Sequence, residues 1–141
     1  MQTTDSDCGF HFPQAEVIHF YGRAQMLAQA ELMDVSKLAS LAGFVVPVAM
    51  TRAAWIECVE WADESAKAKA PGQSEAGRLW DVLWMARLAA AAGRGVRRRF
   101  AVLRVPQEGK GTRSRRVLLA LQMHAGDQGE PVVTIMLPME D

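Results

Sequence analysis

Guanidinium is the chemistry most concentrated in this sequence. The stretch "GRGVRRRFAVLRV", residues 93–105, carries Arg94, Arg97, Arg98, Arg99 and Arg104, and Arg113, Arg115 and Arg116 follow shortly after. Arginine is a permanent cation whose planar fork of donors matches phosphate and carboxylate and whose face stacks on aromatic rings. Such a cluster can hold a phosphate backbone or an acidic protein face, or it can solvate an exposed sheet and guard its edge against aggregation. The charge map around it is uneven. Residues 1–93 hold seven basic against eleven acidic side chains, residues 94–116 nine against one, and residues 117–141 none against four. A chain built to coat nucleic acid would be basic overall; a basic segment between two acidic ones suits a protein face equally well.

Other reactive side chains do not assemble into a recognisable constellation. His11, His19 and His124 are scattered, and Cys8 with His11 would need further ligands to hold zinc. Arg78 and Asp81 stand three apart on a helical pattern, as structural ion pairs do, and Arg87 follows Trp84 at the spacing of a cation over an indole. Gly93-Arg94-Gly95 lacks the third glycine and the preceding strand of a dinucleotide site and ends a helix instead. The expectation is a non-enzyme with no catalytic residue, metal or other cofactor. Partner-binding candidates are Arg97, Arg99, Arg115 and Arg116, with Trp61 beside acidic residues as an exposed aromatic anchor.

The elements that must position these residues follow from periodicity. Residues 1–16 show no sustained period and predict a flexible N-terminal arm, leaving residues 17–141 as a single domain. "YGRAQMLAQAEL" and "DVSKLASLAGF" predict two short helices, the second with Asp34 or Ser36 as N-cap and Gly43 at the left-handed position past its end. "FVVPVAM" is β-branched, and Pro47 confines it to an edge strand or an extended crossing segment. Thr51 caps a helix through "RAAWIECVEWADESA", and "KAKAPGQ" is a loop. "SEAGRLWDVLWMARLAAAA" is apolar around nearly its whole circumference, which predicts a central helix with Trp80, Leu83 and Trp84 buried. Trp84→Ala would then cost roughly 3–5 kcal/mol.

"RRFAVLRV", "RRVLLALQMH" and "PVVTIML" alternate as strands and are joined by Gly-rich polar runs. If Phe100 and Val102 face the helices, Arg98 and Arg104 point the same way and Arg97, Arg99 and Ala101 point out. An antiparallel hairpin brings Arg113, Arg115 and Arg116 toward Arg104 and Lys110. The fold class is therefore α+β, with N-terminal helices packed on a C-terminal three-stranded antiparallel β-meander.

With 141 residues, such a domain buries roughly two-thirds of its unfolded surface and needs no staples. Cys8 and Cys58 do not form a disulfide framework, no apolar run is long enough for a membrane span, and the first residues lack a secretory pattern. A cytoplasmic protein is expected.

The succession "FYGRAQMLAQAELMDVSKLASLAGFVVPVAMTRAAWIECVEW", "GRLWDVLWMARLAA", a variable basic strand and "GEPVVTIMLPMED" resembles an uncharacterised family of small bacterial proteins carried on plasmids, phages and integrative elements. "LWDVLWMARLA" and "VVTIMLP" are its most specific parts. The resemblance implies an anti-defence context. The expected function is thus a non-enzymatic accessory protein that inhibits a bacterial defence complex by binding protein, for example an anti-CRISPR protein acting on effector subunits. The alternative is a nucleic-acid-binding accessory or regulator that uses the arginine-rich hairpin. Expected partners are defence or CRISPR effector subunits, nucleic acid through that hairpin, no membrane, and a second copy in a homodimer.

Overall fold

The computed structural model describes residues 22–93 and 95–140. The arm expected over residues 1–16 lies outside them, as do Cys8, His11 and His19. The elements in order are α1 (Arg23–Ala28), β1 (Leu32–Asp34), α2 (Ser36–Leu41), β2 (Val48–Thr51), α3 (Arg52–Cys58), α4 (Glu64–Lys69), α5 (Glu75–Ala91), β3 (Arg97–Arg104), β4 (Arg115–Ala125) and β5 (Pro131–Met136).

The class is α+β, but the sheet is not the expected meander. Strands β3, β4 and β5 are antiparallel neighbours; β2 then pairs in parallel with β5, and β1 pairs antiparallel with β2. The result is one five-stranded mixed sheet in the order β1-β2-β5-β4-β3. Strand β1 has three residues, too few for a period of two to register. Pairing of β2 with β5 joins segments remote in the chain, which no local pattern reveals. Pro47 predicts an edge strand or an extended crossing segment, yet β2 begins one residue later and runs inside the sheet, between β1 and β5. Pro47 precedes the first residue of β2, a place where a strand tolerates proline, and its carbonyl accepts the Val133 amide at 2.9 Å.

One face of the sheet carries the core. Val48, Met50, Phe100, Val102, Leu119, Leu121, Val133 and Ile135 meet Ala39 of α2, Ala54 and Cys58 of α3, and Leu79, Val82, Leu83 and Ala86 of α5. Caps hold α3 and α5 where the sequence places them, whereas the N-cap position of α2 is Val35, whose side chain has no group to cap with, and not Asp34 or Ser36. Thr51 Oγ1 accepts from Ala54 N, and Ser74 Oγ from Gly77 N. Helix α2 ends with Gly43 at φ +110°, its amide donating to Ser40 O while Phe44 N donates to Ala39 O; this paired closure is the one a glycine past the helix end permits. Asp34 Oδ1 accepts from Ser36 N at the start of α2. Helix α1 has no capping side chain of its own, and Asp127 reaches across from the β4–β5 turn to accept from Arg23 N and Ala24 N.

The helix expected through residues 52–66 is broken in two. Trp61 N donates to Glu75 Oε2, and Ala62 N and Asp63 N donate to Gln107 Oε1, so long-range acceptors replace helical ones. Asp63 then caps α4, inside what was read as helix, and α4 continues into the expected loop.

Candidate functional site

The strand register decides the fate of each arginine. Phe100, Val102 and Arg104 are buried on the helix side, with half-buried Arg98 on the same side, while Arg97, Arg99, Ala101 and Leu103 alternate onto the opposite face. Arg104 stands opposite Arg115 and Leu103 opposite Arg116, whereas Arg97 pairs with Gln122 at the other end. The basic side chains therefore form two centres, as the hairpin predicted, and they divide between the two faces.

Several are engaged within the molecule. Arg97 Nη1 donates to Gln122 Oε1 at 2.8 Å, and its Nη2 to the carbonyls of Pro138 and Glu140 at 2.8 and 2.9 Å; the side chain straps the C-terminal turn to the sheet. Arg104 is buried and donates to the carbonyls of Leu103, Cys58 and Arg78 and to Asp81 Oδ2. Arg78, 2 % exposed, donates to the carbonyls of Val59 and Val105 and to Gln73 Oε1, and its guanidinium lies 4.6 Å from the Trp61 ring centroid. Burial first, and then the neighbouring Arg104 charge, pushes the Arg78 pKa down to about 10, which leaves it cationic at neutral pH. Burial likewise pushes the Cys58 thiol up to about 12, so it is protonated and unreactive at neutral pH. Among the described residues, Arg99, Lys110, Arg113, Arg115 and Arg116 are the exposed cations of this region.

Tryptophan placement reverses the sequence reading. Trp61, expected as an exposed anchor, is 4 % exposed, while Trp80 and Trp84, expected in the core, are 36 % and 46 % exposed. The break after α3 turns Trp61 inward beneath Arg78. Helix α5 spends Leu79, Val82, Leu83 and Ala86 on the sheet, and its other apolar stripe remains outside. Trp80 and Trp84 stack there with ring centroids 6.1 Å apart. Met85, Leu88 and, on β3, Leu103 are exposed as well. Between α5 and β3 runs a groove of about 310 Å³ lined by Trp80, Asp81, Trp84, Met85 and residues 101–104. One signal could have exposed this surface: a helix apolar all round, packed on a single sheet, has one side too many for a two-layer chain to cover.

A second cleft, of about 570 Å³, lies against Trp61, Lys67 and the start of α5. Among the described residues no three His, Cys, Asp or Glu side chains come together in a metal-holding group, and no helix is long and apolar enough to cross a membrane.

Comparison with known proteins adds one match. The profile of a family of unknown function (DUF6573) matches residues 9–141. No curated protein and no solved structure matches the chain.

Proposed function

The chain belongs to DUF6573, and we propose that it is a non-enzymatic binding protein that occupies a protein target through the α5–β3 surface. The observation that carries this reading is the stacked, exposed Trp80–Trp84 pair with exposed Met85 and Leu88 beside it on α5. Contiguous exposed apolar surface mostly marks a place where a partner sits, and tryptophan and arginine are the residues that dominate interface energies. Arg99, Arg115 and Arg116 remain available at the margins. Arg97 and Trp61 are engaged within the molecule. The resemblance of the sequence to proteins of mobile elements makes a bacterial defence complex, such as a CRISPR effector, the target to test. Such an inhibitor needs no metal or nucleotide.

A titration of the purified full chain against a purified CRISPR effector complex tests the reading. Inhibition that saturates at equimolar protein and complex is the expected result, since a binder occupies one target per copy. Inhibition at far below equimolar protein overturns it and points to turnover. The exposed Lys110, Arg113, Arg115 and Arg116 at the hairpin end favour the second reading, nucleic-acid binding. That reading requires affinity for duplex DNA that falls steeply with salt, with a slope that flattens by about one unit for each of Arg113, Arg115 and Arg116 replaced by Ala.

A further inference from the structure

The backbone of β3 gives the surface a specific kind of occupant. Met123 N donates to Val96 O at 2.7 Å, and the register places these two residues directly opposite each other. Opposed residues in an antiparallel pair alternate between exchanging hydrogen bonds and turning their backbone groups away. Residues 98, 100, 102 and 104 are thus bonded to β4. Arg97, Arg99, Ala101 and Leu103 direct their N–H and C=O outward. The bond from Gly126 N to Glu130 O at the β4–β5 end fixes the same alternation from the other side of β4. Among the described residues no strand pairs with the outer side of β3, and of its outward carbonyls that of Leu103 accepts from Arg104 Nε. The Trp80–Trp84 groove runs along this same edge.

We infer that β3 receives an extended, acidic segment of a protein partner by strand addition, its alternate apolar side chains seated against Trp80, Trp84 and Met85. The inference rests on the protein-binding reading above and names the mode. An added strand alternates its side chains between the two faces of the sheet. On the helix side they meet the apolar groove. On the other side they meet Arg99, and further along the strand Leu103, beside which Arg116 of β4 stands on the same face, so carboxylates are the complement there. A second copy is the poorer occupant: β3 reads RRRFAVLR, and pairing it with itself would bring the arginines of two copies together, where like charges destabilise.

The test uses the full chain and an acetylated, amidated nonapeptide of alternating Glu and Val. Amide hydrogen exchange is followed by NMR. In the free protein the Arg99 and Ala101 amides should exchange at least tenfold faster than those of Phe100 and Val102. Saturating peptide should slow Arg99 and Ala101 at least tenfold, and the same peptide methylated at alternate amide nitrogens, or with Lys in place of Glu, should bind at least tenfold more weakly. Three results overturn the inference: no binding of the Glu-Val peptide, binding that leaves the Arg99 and Ala101 amides unprotected, or protection that rises with protein concentration alone and tracks a dimer in sedimentation. Each leaves equimolar inhibition of a target complex to stand or fall separately.

Discussion

Arg104 shows how a buried charge is held in this fold. Two of its acceptors, the carbonyls of Cys58 and Arg78, belong to α3 and α5, and its ion-pair partner Asp81 is largely solvated. Arg104→Ala therefore takes the donor from the Cys58 carbonyl at the end of α3, while the Arg78 carbonyl keeps its helical bond, and should cost roughly 1–3 kcal/mol for the one orphaned buried group. Arg104→Lys should not rescue it, because one ammonium cannot reproduce the fork. Urea denaturation of the two variants measures both effects. His124 offers a titrating counterpart. Arg23 Nη1 donates to Thr134 Oγ1 at 2.8 Å, and His124 Nε2 lies 2.7 Å from that same oxygen, which leaves the Thr134 proton for a neutral imidazole. Desolvation and the Arg23 charge lower the His124 pKa below 6.5. The unfolded chain then takes up this proton first as pH falls, so His124 contributes stability above about pH 6.5 that is lost progressively below it. An NMR titration should find the His124 midpoint below that of a histidine in the urea-unfolded chain. A midpoint above it would contradict the arrangement.

At the scale of elements, local chemistry was readable wherever it was local. Thr51 and Gly43 were identified from their types alone, and the structure finds the cap and the left-handed turn they imply. Gly43→Ala should cost roughly 1–2 kcal/mol for the disfavoured backbone region, and its Cβ would also meet Arg87 Nε at 3.0 Å; thermal unfolding would register the loss. The alternation of β3 and the approach of Arg115 to Arg104 were likewise legible, since a hairpin register follows from strand period and turn length. The parallel β2–β5 pairing was not. Nor was the break after α3, where Gln107 and Glu75 supply acceptors that a helix would have supplied itself. The β2–β5 and Gln107 contacts join segments the chain separates widely, so no local window contains both partners, and Glu75, 14 residues from Trp61, lies beyond the i→i+4 reach of a helical pattern.

For the whole molecule, the largest revision concerns which tryptophans fill the core. An all-apolar helix implies burial on every side only if enough chain exists to form a second layer, and α5 has the sheet on one side and exposed indoles on another. The candidate site was half legible for the same reason: the arginines announce themselves by composition, but the aromatic surface beside them shows only when the layers are counted. Surface function, rather than core packing, is the central claim for Trp80 and Trp84. Its most direct measurement is the Trp80→Ser, Trp84→Ser double variant in the equimolar inhibition titration, with circular dichroism and thermal unfolding recorded in parallel. The prediction is a native spectrum, a loss of stability of about 1 kcal/mol, as for partly exposed positions, and loss of inhibition. Unfolding of the variant, or a stability loss of roughly 3–5 kcal/mol as for a core aromatic, or inhibition undiminished from the parent, would contradict it.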